Sequence, residues 1–115
     1  MDLQALAYSV RVGGITEIAL TKLDILDRLG LDIVRVGIGY IGTTEGYIPP
    51  RDSLYKGVGI IYTGVKYEKR EEEYHPIYQL ADLVEEYVGV PVTMISSGTD
   101  KKSIKTRLTQ SQTWE

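Results

Sequence analysis

The stretch from Ile77 to Gly98 constrains the fold more than any other part of the chain. Ile77, Leu80, Ala81, Val84, Tyr87 and Val88 recur at the spacing of an amphipathic helix, with one stripe to bury. Gly89 closes that helix. Val90-Pro91-Val92-Thr93-Met94-Ile95 follows as a strand that opens onto Ser96-Ser97-Gly98. A helix with one apolar stripe, leading at once into an apolar strand, needs a layered partner to cover both.

The upstream chain repeats this alternation. Leu3, Leu6, Ala7 and Val10 predict a helix over Asp2–Arg11, with Asp2 as N-cap and Gly13-Gly14 as its stop. Ile15–Leu20 reads as a short buried strand ending at Thr21-Lys22-Leu23-Asp24, and a short helical piece, Ile25–Leu29, is closed by Gly30. Asp32–Ile41 and Gly57–Tyr67 read as further strands, the second on a sheet edge because its flanks are polar. Between them Gly42–Asp52 is a turn-rich loop around Pro49-Pro50, and Lys66–Glu73 is a charged run expected to be solvated. The expected class is α/β: part of a larger mixed or parallel sheet with flanking helices. The folded body is expected over residues 1–107. Residues 108–115, which show no apolar period, are expected to form a flexible tail.

Composition removes several function classes. At 115 residues the chain has the size of one domain, and a net charge of −3 argues against a nucleic-acid polymer as partner. Without cysteine, neither a disulfide framework nor a thiolate metal site can form. No segment approaches the roughly 20 apolar residues of a membrane span, and the N-terminus lacks a secretory pattern, so a cytoplasmic protein is expected. Nine tyrosines and no phenylalanine place many rings at a core rim. His75, the only histidine, reads as a surface or capping residue, and Glu71-Glu72-Glu73 as a solvated patch.

Two short motifs carry possible chemistry. Guanine presents N1–H and its N2 amino group side by side, and one carboxylate accepts both, whereas adenine has no such donor pair. Asp24 supplies a carboxylate at a strand end, and Lys22 has an aliphatic stem able to lie across a base. The pair also reads as an exposed lysine followed by a helix-capping aspartate. Ser96-Ser97-Gly98 offers hydroxyls and backbone N–H groups with little bulk, suited to a base carbonyl or simply to a turn. Open α/β sheets bind ligands just beyond the carboxyl ends of their strands, so the two motifs are expected to share one edge.

The block from Asp2 to Asp27, with Leu20-Thr21-Lys22-Leu23-Asp24-Ile25-Leu26-Asp27 at its end, resembles the adenylosuccinate synthetase family. Gly89-Val90-Pro91-Val92 and Ile95-Ser96-Ser97-Gly98 are similar to that family's closing segment. The resemblance implies a C-terminal portion of an enzyme that joins IMP and L-aspartate, using GTP and magnesium, to form adenylosuccinate. It implies that Lys22 and Asp24 hold the guanine of GTP, that Ser96 and Gly98 form the second guanine loop, and that Thr21 contributes more weakly. The catalytic residues and the Mg2+ site are then expected in a missing N-terminal part, the chain alone is expected to be inactive, and a homo-oligomer is implied. The family often has asparagine where Gly13 stands and proline where Thr99 stands, and its Pro-Gly-Trp does not follow Tyr62. The alternative is a stand-alone nucleotide-binding or structural module that kept this fold without catalysis.

Overall fold

The computed structural model describes residues 1–30, 32–42, 59–67, 76–110 and 112–115. The expectations for His75, Glu71–Glu73 and the Pro49-Pro50 loop lie outside the described residues. The elements run α1 (Leu3–Gly13), β1 (Ile18–Leu20), α2 (Asp24–Arg28), β2 (Ile33–Tyr40), β3 (Ile60–Lys66), α3 (Pro76–Val88), β4 (Val92–Ser96), a 3-10 turn (Lys101–Ser103) and β5 (Ile104–Thr106).

The first helix begins as its sequence dictates. The Asp2 carboxylate accepts from the Ala5 N–H at 2.9 Å, and Gly14 closes the helix at φ 64°, a left-handed cap that glycine adopts without Cβ strain. The strand expected from Ile15 forms only from Ile18, and Ile15 is exposed. The Ile15 N–H is spent on the Val10 carbonyl, which extends the helix-ending turn and delays the strand.

Among the described residues the strands form two sheets. β4 is the centre of one, parallel to β1 and antiparallel to β5. The other pairs β2 with β3 antiparallel, from Ile33↔Lys66 to Tyr40↔Ile60, with an irregularity between Gly37 and Gly39. Residue 37 has to be small: a Cβ there would meet Ile60 Cγ2 at 3.0 Å and the Met1 carbonyl oxygen at 3.5 Å. This closeness lets the Gly37 N–H bond the Met1 carbonyl at 2.6 Å, so the chain before α1 lies beside β2. The architecture is therefore α/β with a mixed sheet and flanking helices.

The core lies where α1 and α3 meet each other and the strands. α1 packs on β2 and α3, and α3 packs on β4 and β3. Leu3, Val36, Leu80, Val84, Val92 and Ile95 are essentially sealed from solvent. Each such side chain contributes about 2 kcal/mol of burial. Tyr40 and Tyr87 clamp the helices from the rim: Tyr40 donates to the Asp2 carboxylate and Tyr87 to the Ile38 carbonyl.

Residues beyond 107 fold back on this body, where sequence alone suggested a flexible tail. Thr106 and Glu115 exchange both backbone hydrogen bonds at 3.0 Å. The Arg107 guanidinium lies 4.2 Å from the Trp114 ring centre, and Trp114 stacks on Tyr78 with 6.0 Å between centroids. Arg107 is 3 % exposed, with Asp82 at 2.7 Å and Glu85 at 3.7 Å. The tail is held by a buried cation and one aromatic side chain, neither of which needs a periodic pattern.

Candidate nucleotide-binding edge

β1 and β4 are parallel neighbours, so both release their chains at the same edge of the sheet. The loops after them are joined directly: the Leu23 N–H donates to the Ser96 carbonyl at 3.1 Å. Leu23 is buried and pins the first loop from below, while Thr21 and Lys22 are exposed above it.

Lys22 has φ 59°, a left-handed conformation that a side-chain-bearing residue adopts at a cost of about 1 kcal/mol or more. It turns the chain sharply between the end of β1 and α2. The Lys22 carbonyl then accepts from Ile25 at 3.3 Å, and the Leu23 carbonyl from Leu26 at 3.2 Å, which starts the helical turn. Asp24 is the first residue of α2, half-buried, and its carboxylate pairs with Arg28 one turn later at 3.0 Å.

The second loop holds its shape through its own bonds. The Ser96 hydroxyl donates to the Gly98 carbonyl at 3.1 Å, and the Ser97 N–H to the Ser103 carbonyl at 3.2 Å. The Ser103 N–H and hydroxyl both donate to the Asp100 carbonyl, and Asp100 caps the 3-10 turn by accepting from Lys102 at 3.2 Å. A Cβ on Gly98 would lie 3.4 Å from Ser103 Cβ, so this loop packs on Ser103 as well as bonding to it. Sequence reasoning missed Ser103, Asp100 and Arg28. Only Arg28 carried a signal, standing four residues after Asp24 on one helical face.

The structure thus brings the loop of Thr21, Lys22 and Asp24 beside the loop of Ser96 and Gly98. An exposed cation, a half-buried carboxylate and a compact serine–glycine turn meet on one open surface. A separate groove lined by Glu17, Thr93, Met94, Thr106, Arg107 and Glu115 shares none of these residues. Among the described residues no group of three or more His, Cys, Asp or Glu side chains is placed to hold a metal ion. No helix among them is long and apolar enough to cross a membrane.

Fold and edge together define an α/β protein that gathers two polar strand-end loops at the carboxyl ends of parallel strands. The model of the adenylosuccinate synthetase family matches residues 1–105, and the chain belongs to that family. It is 37% identical to the adenylosuccinate synthetase of Lawsonia intracellularis, over 87% of this chain and 26% of the relative. It is 37% identical to that of Chlorobaculum tepidum, over 85% of this chain and 24% of the relative. The fold is similar to that of a fully ligated adenylosuccinate synthetase from Plasmodium falciparum, with a TM-score of 0.79, 20% identity, and coverage of 94% of this chain and 28% of that one. The chain spans about a quarter of the length of these relatives.

Proposed function

We propose that this chain is the C-terminal portion of an adenylosuccinate synthetase and supplies the pocket for the guanine of GTP. The observation that carries the reading is the joining of the two strand-end loops through Leu23 and Ser96. Asp24 accepts the guanine N1–H and N2 amino group, and its half-buried position strengthens that pair over one in bulk water. The Lys22 stem lies across the base. The loop of Ser96 and Gly98 receives the base's O6 edge, with Thr21 at the margin.

Catalysis of adenylosuccinate formation from IMP, L-aspartate and GTP belongs to a remainder of the enzyme that also binds Mg2+. The assembled protein is cytoplasmic and homo-oligomeric in this reading, and the 115 residues alone do not turn over. Calorimetric titration of the chain with GTP and with ATP, alongside Asp24→Asn, tests it. Weak binding that favours GTP and disappears in Asp24→Asn supports the reading. Equal binding of GTP and ATP, unaffected by Asp24→Asn, contradicts it.

A further inference from the structure

Asp24 has a partner already. The Arg28 guanidinium reaches its carboxylate at 3.0 Å from one turn along α2, with the Arg28 side chain 77% exposed and Asp24 27% exposed. A guanidinium is a planar fork of N–H donors around one carbon. The Watson–Crick edge of guanine presents the same local chemistry: N1–H and an amino group on one carbon, both pointing one way. The residue proposed to recognise the base is thus engaged by a side chain that carries the donors the base would offer.

We propose that Arg28 is an internal stand-in for guanine, occupying Asp24 until the base displaces it. This rests on the guanine reading of the edge and adds a competitor to it. Displacement is feasible because Arg28 stands mostly in water, where its released charge is solvated. Asp24 is never left bare: it passes from guanidinium to base. An exposed pair spaced i,i+4 shifts an equilibrium by about twofold, so the device lowers affinity for the base modestly.

The test uses guanosine, whose lack of charge separates base recognition from the pull of Arg28 on phosphate. Amide NMR titrations would follow residues 21–24 and 96–98 in the wild-type chain, in Arg28→Gln and in Asp24→Asn. Arg28→Gln should bind guanosine about twofold more tightly than wild type. Raising salt to about 0.5 M should tighten binding to wild type and leave Arg28→Gln unmoved, because salt screens only the ion pair. Equal or weaker binding by Arg28→Gln, with Asp24→Asn still abolishing the response, overturns the stand-in and leaves the guanine reading intact. No guanosine response at these residues in wild type or Arg28→Gln overturns both.

Discussion

The backbone N–H of Leu23 reaches the carbonyl of Ser96 at 3.1 Å, and this bond ties the loop that follows β1 to the last residue of β4. The side chain beneath it is buried, so the junction is anchored in the core while its upper surface stays polar. Parallel pairing sets both loops on one edge, and the Leu23–Ser96 bond fixes their spacing.

Truncating the anchor should therefore harm both stability and recognition. Leu23→Ala should lower the unfolding free energy by about 2–5 kcal/mol, the range for truncating a buried core leucine. Urea denaturation measures the loss. Amide shifts at Ser96–Gly98 in the folded variant should move as well, since they share the junction.

Lys22 should show the opposite balance. Lys22→Gly relieves the left-handed strain and loosens the unfolded chain, and the two effects nearly cancel, leaving stability within about 1 kcal/mol of wild type. Lys22→Val, β-branched at φ 59°, should cost about 1–3 kcal/mol. Both should weaken nucleotide binding, because both remove the stem proposed to cover the base. A thermal melt paired with a nucleotide titration separates the two effects.

The tail clasp supplies a stability test away from the edge. Arg107→Ala leaves Glu85 and Asp82 without their cation and Trp114 without its guanidinium. It should cost about 3 kcal/mol, the low end for breaking a buried pair, since Asp82 is 26% exposed and can rehydrate. Trp114 is the sole tryptophan, so a red shift of its fluorescence before global unfolding would report release of the tail.

The helical stripes were legible in the sequence, because Leu3 and Val10 in α1, and Ile77, Leu80, Ala81, Val84 and Val88 in α3, recur at the helical period and are buried. Leu6, Ala7 and Tyr87 of the same stripes pack half-buried against the core, and Gln4, off the apolar stripe, is buried as well. The shared edge of the two loops was also legible, since parallel strands joined through helices release their ends on one side. Arg107 and Trp114 were not. Arg107 meets Asp82 and Glu85 across more than twenty residues of sequence, a relation without local period, and one tryptophan in a polar octapeptide gives no pattern to read. Ile15 misled for a different reason: an apolar β-branched residue after Gly-Gly resembles a strand start, yet its N–H goes back to Val10.

Alkaline pH should loosen the rim of the core. Burial, then the hydrogen bond to Asp2, the charge of Asp2 and the neighbouring Tyr62 push the Tyr40 phenol from its ordinary 10 up to about 12. A folded-state pKa raised above the unfolded one favours the protonated native form. Its stabilising contribution is thus fully present below pH 10 and is lost as pH climbs toward about 12. Asp2→Asn keeps a competent N-cap yet removes the charge, so its Tyr40 should ionise at lower pH in ultraviolet titration.

Exchange of nucleotide preference tests whether Asp24 reads the guanine edge. A carboxylate accepts both donors of guanine, whereas an asparagine amide both accepts from N1–H and donates to the C2 carbonyl of xanthine. Competition between GTP and XTP should favour GTP for the wild-type chain and reverse to XTP for Asp24→Asn. An unchanged preference in Asp24→Asn would contradict the account, because the base would then be read by something other than this carboxylate.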